Sequence, residues 1–216
     1  MRVGVFVGPS LEEAARVVHP ALTYLPPAAR GDVAAASEYY DAVLFIDGVF
    51  HHNLAPAPKE VFAATRRVQM FGAASMGALR GAECCIYGMV PLGIIARWYV
   101  HGVVDGDDEV AVLVDPRTQR ALTVPMVNVR YVIWLARRRG LLSASEGLRI
   151  YESARDVYYM DRSWPEVYAV VPAAARKAFQ TLAEKHGNLK RHDALFALRS
   201  VLRRVERAHA HPDAIV

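Results

Sequence analysis

The chain has 216 residues, 53% of them hydrophobic and 22% charged, a composition that predicts a globular protein with a sizeable buried core. No apolar run approaches the roughly 18 residues of a membrane span, so we expect no membrane partner. The formal net charge is +4, and the only cysteines are the neighbours Cys84 and Cys85, which lack the spacing of a zinc site. Adjacent cysteines rarely form a disulfide with each other. Because the sequence therefore shows no disulfide pattern, we expect a cytoplasmic protein.

The charge is distributed unevenly along the chain. Residues 1–115 hold eight basic and 13 acidic side chains, whereas residues 116–216 hold 18 basic and nine acidic ones. A basic second half favours contact with an acidic partner, although a solvated helical surface produces the same count. Nucleic acid is a weaker alternative, because no aromatic recognition motif is interleaved with the basic residues.

Strands and helices alternate in the first half of the chain. The apolar run 42–46 is typical of a strand buried on both faces, and the start of the chain predicts a first strand rather than a signal peptide. Ser10 and Glu13 have the spacing of a helix capping box. The pattern predicts strands at 3–7, 21–25, 42–46 and 68–71, and helices at 11–18, 33–40, 59–67 and 91–101. Such alternation indicates an α/β, Rossmann-like and mostly parallel sheet with helices on both faces.

The second half is predicted to be mainly helical. An acidic loop at 105–109 precedes two short strands, 110–114 and 121–124, whose intervening turn predicts a β-hairpin. Helices are predicted from residue 126 to a stop at Gly140, and over 145–159, 172–186 and 193–208. We therefore predict an α/β core domain over residues 1–120 and a helical subdomain over residues 121–216.

Three predicted strand ends carry a polar group beside a glycine or another small residue. They are Gly8-Pro9-Ser10, Asp47-Gly48 and Ala74-Ser75. Ligands of open parallel sheets bind beyond the carboxyl ends of the strands, so we expect these three strand ends to line one pocket. Ser10 is explained by the capping box, but it could also help to bind an anion there.

Ser75 is the strongest candidate for a chemical role. It follows a short apolar run and lies in a small-x-Ser-x-Gly string, which resembles the turn that presents the nucleophile of serine hydrolases. Ser75 would act as a nucleophile or as an oxyanion ligand, and helix-start amides such as that of Gly77 would stabilise the negative charge. The alternative is that Ser75 only caps the following helix.

The loops around this predicted pocket supply candidate acid–base groups. Asp47 is either a turn residue or a carboxylate that orients a base or a substrate amine. His51 and His52 follow in the same loop, and His51 is the most plausible general base in it. Lys59 lies at a helix start, where a positive charge opposes the helix dipole, and this position favours a functional role over a simple exposed charge.

Two other groups have both a structural and a functional interpretation. Arg80 either pairs with Glu83 one turn later or holds a carboxylate or thiocarboxylate terminus by a forked contact. The acidic run Asp107-Asp108-Glu109 favours a turn or a partner contact over a metal site, because successive side chains of an extended chain point in different directions.

The sequence predicts neither a metal nor a cofactor. It lacks a Gly-x-Gly-x-x-Gly turn after a strand and a Gly-Lys-Ser/Thr string, which argues against a dinucleotide site and against a P-loop. Cys84 and Cys85 could carry sulfur as a persulfide, but their position in an apolar helix favours simple packing.

Four segments resemble the TfuA-like family, which is named from trifolitoxin biosynthesis. They are residues 6–10, 46–50, 72–83 and 107–112, and the likeness covers roughly residues 3–135. The most specific strings are Ser75-Met76-Gly77-Ala78-Leu79-Arg80 and Asp107-Asp108-Glu109-Val110-Ala111-Val112. The chain departs from the family pattern at Ala74, Gly81 and Cys84, where the pattern has serine, alanine and leucine.

The resemblance implies an accessory protein for YcaO-type enzymes, which form thioamides in a peptide backbone with the help of ATP. The implied reaction is hydrolysis of a thiocarboxylated ThiS-like sulfur carrier, which releases sulfide for a YcaO enzyme acting on a precursor peptide or protein substrate. Ser75 would be catalytic, and the acid–base candidates are Asp47, His51 and Lys59. The residues expected to bind substrate are Gly8, Pro9, Ser10, Gly77, Arg80, Asp108 and Glu109. The alternative is a non-catalytic adaptor that docks on YcaO and promotes substrate engagement.

Overall fold

The computed structural model of the chain describes residues 1–51 and 53–210. They form two compact units, of which the first joins Met1–Asp105 to the chain from Lys190 onward and the second is Gly106–Leu189. The predicted division into residues 1–120 and 121–216 stays a prediction. In the part of the chain that the structure describes, no helix is both long enough and apolar enough to cross a membrane.

The first unit is built on a five-stranded sheet. Its strands are β1 (Val3–Phe6), β2 (Leu22–Leu25), β3 (Ala42–Phe45), β4 (Gln69–Ala73) and β5 (Val90–Leu92). The spatial order is β2-β1-β3-β4-β5, and every neighbouring pair is parallel. The predicted α/β, Rossmann-like fold is therefore confirmed, and β3 lies at the centre of the sheet with β1 on one side and β4 on the other.

Helices surround this sheet and make up the second unit. The described helices are α1 (Asp32–Tyr39), α2 (Pro58–Thr65), α3 (Met76–Glu83), α4 (Gly93–Val100), α5 (Met126–Arg138), α6 (Ala144–Asp156), α7 (Trp164–Ala169), α8 (Ala173–His186) and α9 (Leu189–Ala210). The predicted helix stop is also present, because α5 is followed by Gly140, whose φ is 71°.

Alternate residues of each strand face opposite sides of the sheet, so both faces are buried. Leu44 of β3 belongs to a core cluster with Ala194 and Leu198 of α9. Its neighbour Val43 belongs to the cluster on the other face, with Val33 of α1. This arrangement explains the unbroken apolar run of β3. It also means that α9, the last of the described helices, covers one face of the sheet.

Helix α3 packs on the central strands with almost no space between backbones. A Cβ added at Gly77 would overlap the carbonyl oxygen of Phe45 and lie 2.5 Å from its carbonyl carbon. A Cβ added at Gly72 would overlap the carbonyl oxygen of Gly77 and lie 2.9 Å from the Cα of Gly81. The run of small residues after β4 therefore serves helix–sheet contact, and the structure gives Gly77 a packing role at this point.

Two local expectations are corrected by the structure, and a third is not confirmed. The predicted helix at 11–18 is only a single 3-10 turn, Glu13–Ala15, without a side-chain cap, so the capping box of Ser10 and Glu13 is wrong. The predicted helix at 91–101 was partly wrong, since β5 ends at Leu92 and α4 begins at Gly93. The predicted β-hairpin is not confirmed, because residues 110–114 and 121–124 share one isolated antiparallel bridge, Val114 with Ala121.

Candidate functional site

The carboxyl ends of β1 and β3 meet at the carboxylate of Asp47. Its Oδ2 accepts hydrogen bonds from the backbone N–H groups of Gly8 (2.8 Å) and Ser10 (3.0 Å). Its Oδ1 accepts a third from the hydroxyl of Ser10 (2.6 Å). Asp47 and Ser10 are 1% and 2% exposed, so fixed donors replace water around a buried carboxylate. These bonds hold the loop after β1 against the end of β3 and account for Ser10 without a helix cap.

Ser75 lies in a tight turn at the carboxyl end of β4. Ala74 has a φ of 65°, and the backbone N–H of Ser75 donates to the carbonyl of Ala73 at 2.8 Å, which makes a γ-turn of the rare positive-φ kind. A non-glycine residue with such a φ is strained, and strain of this type concentrates at functional sites. The turn connects the end of β4 directly to the start of α3.

The hydroxyl of Ser75 does not cap α3. Ser75 occupies the N-cap position, but its side chain accepts no hydrogen bond from the first turn, so the alternative of a simple helix cap is wrong. The residue is 1% exposed, and its Oγ has no hydrogen-bond partner in the described structure. A buried hydroxyl without a hydrogen-bond partner destabilises the folded state by about 1–3 kcal/mol. The hydroxyl of Ser75 therefore lowers the stability of the protein.

The β4–α3 turn is fastened to the end of β3. The backbone N–H of Gly77 donates to the carbonyl of Ile46 at 3.0 Å, so this amide is already engaged and does not serve as an oxyanion donor. The sulfur of Met76 lies against Gly48, where an added Cβ would be 2.5 Å from it. Ser75 is thereby held beside the strand end that carries Asp47.

Helix α9 brings two further buried charged groups to this edge of the sheet. Lys190 and Asp193 are 4% and 3% exposed, one turn apart on the helix. Burial lowers the pKa of Lys190, while the charge of Asp47 acts in the opposite direction. Oδ2 of Asp193 accepts a hydrogen bond from the backbone N–H of Ile95 at 2.7 Å, and a Cβ on Gly93 would lie 2.5 Å from it. Asp193 thus caps the start of α4 directly after β5.

The sequence-based prediction missed Lys190 and Asp193. One signal was available, because Lys190 lies one turn before Ala194 and two turns before Ala197, two residues of the apolar face of α9. A lysine on the buried face of an amphipathic helix is unusual unless it is paired or functional. Asp193 had no comparable signal, since its backbone partner lies 98 residues away in the chain.

Asp193 makes the stability of the protein dependent on pH. Burial raises its pKa to about 6, against the opposing effects of the N–H groups of Ile94 and Ile95 and the charge of Arg97. A carboxyl group whose pKa is higher in the folded than in the unfolded chain stabilises the folded state at low pH. This stabilisation is fully present below the pKa of the unfolded chain, near 3.8, and is lost as the pH rises through about 6.

We therefore expect Asp193→Asn to flatten the pH dependence of unfolding. The rise of the Asp193 pKa from 3.8 to about 6 corresponds to a difference on the order of 3 kcal/mol in the free energy of unfolding between pH 4 and pH 7. Denaturant titrations of wild type and variant across this range measure the difference. Asp161→Asn, which removes an exposed carboxylate, is the control and should retain the wild-type slope. Parallel curves for Asp193→Asn and wild type would contradict the assignment.

The two basic residues predicted for acid–base work lie at the surface. His51 is exposed, and its Nδ1 accepts a weak hydrogen bond from the backbone N–H of Asn53 at 3.4 Å. Lys59 is exposed in the first turn of α2. His52 lies outside the described residues. The structure therefore groups Asp47, Ser10 and Ser75 at the strand ends and leaves His51 and Lys59 in contact with solvent.

The remaining predicted binding residues are engaged elsewhere. Arg80 pairs with Glu83 at 2.6 Å, and its Nε donates to the carbonyl of Pro56 at 3.0 Å, so the ion-pair interpretation describes the structure. Pro9 is half-buried in the loop after β1.

Within the described residues no group of His, Cys, Asp and Glu is arranged to hold a metal ion.

Asp108 and Glu109 belong to the second unit, in the 3-10 turn Asp107–Glu109. The carboxylate of Glu109 is buried and forms a forked pair with Arg130, with N···O distances of 2.6–2.9 Å. Burial raises the pKa of Glu109, and Arg130 acts in the opposite direction. Arg130 also donates to the hydroxyl of Tyr151 at 2.7 Å, so Glu109 anchors this turn to α5 and α6.

The two cysteines behave as packing residues, Cys84 directly after the end of α3 and Cys85 at the start of the 3-10 turn Cys85–Tyr87. Cys84 is buried, its thiol contacts the carbonyl of Pro58 at 3.7 Å, and burial raises the pKa of this thiol. Cys85 is half-buried, and its thiol contacts the carbonyl of Ala82 at 3.1 Å. A raised thiol pKa disfavours the thiolate that sulfur transfer would need at Cys84.

Comparison with known families adds an independent finding. A family model described as TfuA-like protein matches residues 47–163, which is more than half of the chain. The match begins at Asp47 and includes Ser75, whereas Ser10 and Lys190 lie outside it. No curated protein matches the chain.

Proposed function

The chain belongs to the TfuA-like family, and from this premise we propose that it is an accessory protein of YcaO-dependent thioamidation that releases sulfide from a thiocarboxylated carrier. Membership of this family is consistent with an accessory role beside a YcaO enzyme. The proposed partners are a YcaO-type enzyme, a ThiS-like thiocarboxylated sulfur carrier and the precursor peptide or protein that receives the sulfur, all in the cytoplasm.

The proposed reaction is a hydrolysis. In the net reaction, the oxygen of a water molecule replaces the sulfur on the thiocarboxylate carbon of the carrier, the carbon–sulfur bond breaks, and the products are the carrier carboxylic acid and hydrosulfide. The reaction needs a nucleophile held against the carbonyl carbon and donors for the developing oxyanion. It needs no oxidant or reductant, because the carbon keeps its oxidation state.

The observation that carries the proposal is the buried, unpartnered hydroxyl of Ser75 at a strained turn. Such a group is destabilising in the free protein and gains its missing hydrogen bond when a ligand arrives. Asp47 lies at the adjacent strand end, where its three donors fix its orientation, so we assign it an orienting and electrostatic role. Gly8, Pro9 and Ser10 lie in the loop after β1 that is bonded to Asp47, and we assign substrate binding to this loop.

The test is a direct assay with a ThiS-like carrier that bears a C-terminal thiocarboxylate. We expect the purified protein to convert it to the carboxylate, seen by mass spectrometry as replacement of sulfur by oxygen, with release of an equal amount of sulfide. Carrier without the protein and carrier that already ends in a carboxylate are the controls. A carrier that stays thiocarboxylated at the rate of the protein-free sample would overturn the proposal.

One observation favours the non-catalytic adaptor as a second candidate. The exposed fraction of Ser75 is only 1%, so a substrate tail reaches its hydroxyl only after neighbouring residues move. A reconstituted YcaO reaction separates the two candidates, because it can be supplied with free sulfide instead of the carrier. When free sulfide is supplied, a hydrolase is no longer needed, whereas an adaptor still accelerates thioamide formation.

A further inference from the structure

We propose that the exposed surface at the end of α5 is a docking surface for an acidic peptide segment of a protein partner. This surface, the α5 face, consists of Trp134, Arg137, Arg138 and Arg139. The inference goes beyond the proposed function, because the α5 face belongs to the second unit and the argument does not depend on hydrolysis of a carrier. It is carried by an exposed aromatic ring held in a fixed orientation and by the positive charges beside it.

Trp134 is the centre of the α5 face, and its side chain is 46% exposed. Tyr131 stacks on the indole, with ring centroids 5.8 Å apart and an angle of 16° between the rings. The guanidinium of Arg138 lies over the indole, 5.1 Å from its centroid. Tyr131 comes one turn before Trp134 and Arg138 one turn after it, so these neighbours cover opposite sides of the ring. The exposed part of the indole is therefore its edge.

Two arginines of the α5 face are held in place by contacts of their own side chains. Arg138 is fixed over the indole, and a guanidinium in this position keeps N–H groups for a second partner. Arg137 crosses the start of α6, since a Cβ added at Gly147 would lie 2.8 Å from its Cδ. Both arginines are nevertheless exposed. Side chains that are already positioned lose less conformational freedom when a partner binds.

The positive charge of the α5 face is not neutralised by neighbouring acids. Helix α5 contains no acidic residue, and its first arginine, Arg130, is paired with Glu109. The acidic side chains of α6 interact with Arg149 and Arg155 of the same helix. Within the described residues, none of the three arginines of the α5 face forms an ion pair. The helix dipole favours basic residues in the last turn of α5, but it does not call for an exposed tryptophan beside them. The complementary occupant therefore carries carboxylates.

The orientation of the indole favours a peptide over a nucleic acid. Single-stranded nucleic acids bind by stacking their bases on free aromatic faces, and both faces of Trp134 are covered by Tyr131 and Arg138. The indole edge combines apolar carbon atoms with one N–H donor, which suits an apolar side chain and a carbonyl of a peptide. Tryptophan, tyrosine and arginine are also the residue types that dominate the binding energy of protein interfaces. The occupant is thus an acidic peptide segment that also carries an apolar side chain.

The test is fluorescence anisotropy with the full chain and a fluorescein-labelled peptide made of glutamate, leucine and serine. We expect the wild type to bind this peptide with an affinity that falls as salt is added. Replacing the glutamates of the peptide by glutamine should weaken binding at least about tenfold. Arg138→Gln and Trp134→Ala should each weaken binding of the acidic peptide at least about fivefold. Arg199→Gln removes an exposed arginine of α9 and is the matched control, which should bind as the wild type does.

Three outcomes would overturn the inference. One is equal affinity of wild type and Arg138→Gln, or an equal loss in Arg199→Gln, because the attraction would then reflect net charge and not the α5 face. Another is a wild type that does not bind the acidic peptide. The third is tighter binding of a single-stranded oligonucleotide than of the peptide, which would assign the surface to nucleic acid. Carrier turnover is measured in a separate assay, so each of these outcomes leaves the proposed hydrolysis in place.

Discussion

Ser75→Ala is expected to abolish carrier hydrolysis while leaving the protein at least as stable as the wild type. The hydroxyl is buried and makes no hydrogen bond, so its removal takes away a desolvated polar atom without breaking a contact. We expect the free energy of unfolding to stay the same or to rise by about 1 kcal/mol. Loss of the nucleophile should lower the hydrolysis rate by at least about 100-fold.

A matched control is available in α1. Ser37 is also a buried serine of the first unit, but its hydroxyl donates to the carbonyl of Ala34 at 2.6 Å. Ser37→Ala makes the same chemical change, breaks a satisfied hydrogen bond and should cost about 1 kcal/mol with hydrolysis intact. Chemical denaturation should show a loss of stability only for Ser37→Ala, and the carrier assay should show a loss of turnover only for Ser75→Ala. Wild-type turnover by Ser75→Ala would remove Ser75 from the mechanism.

The sheet was predictable because its signal is local. The run 42–46 is apolar at every position, and the structure buries β3 on both faces under α9 and α1. Strand β5 escaped prediction because it has three residues with Pro91 in its middle, and the apolar pattern continues into α4 without a break. Local periodicity does not separate so short a strand from the helix that follows it.

Ser10 shows how a long-range contact overrides a local signal. Ser10 and Glu13 have the spacing of a capping box, but only one 3-10 turn forms there. The hydroxyl and the backbone N–H of Ser10 instead bind Asp47, 37 residues away. A buried carboxylate with three donors is worth more than one exposed cap, because each charge-assisted hydrogen bond is the stronger interaction.

Only the part of the candidate site that lies at the strand ends could be predicted from the sequence. Asp47 and Ser75 stand out because each follows an apolar run and precedes small residues. Lys190 comes from the last described helix, and its neighbourhood depends on how α9 crosses the sheet, which no local pattern encodes. His51 was favoured by residue type and loop position, and neither property reports that its side chain is exposed.

The glycines around Ser75 serve the packing of α3 on the sheet. Small residues near a serine are compatible with space for a ligand. The structure fills that space with backbone, because Gly77 of α3 and Gly72 of β4 let α3 lie directly on β3 and β4. The turn at Ser75 is thereby held rigid, which a preorganised site requires.

Gly77→Ala is expected to unfold the protein or to destabilise it severely. A Cβ here would overlap the carbonyl oxygen of Phe45, lie 2.5 Å from its carbon and 3.0 Å from the backbone nitrogen of Ile46. These atoms belong to the central strand and the residue that follows it, and they do not move aside as a flexible side chain would. Relief of the clash displaces α3 and breaks the hydrogen bond from Gly77 to Ile46. We expect a loss of about 4 kcal/mol or more, a large part of the roughly 5–15 kcal/mol that stabilises a typical domain.

Gly81→Ala is the control one turn later in the same helix. A Cβ at Gly81 would lie 3.4 Å from the nearest atoms of Gly72 and 3.5 Å from Pro91, which is ordinary van der Waals contact. Replacing a helical glycine by alanine gains about 1 kcal/mol in helix propensity, so this variant should match or exceed wild-type stability. Circular dichroism during urea unfolding measures both variants. Equal midpoints for Gly77→Ala and wild type would show that α3 does not approach β3 as closely as described, and the rigid turn at Ser75 would lose its support.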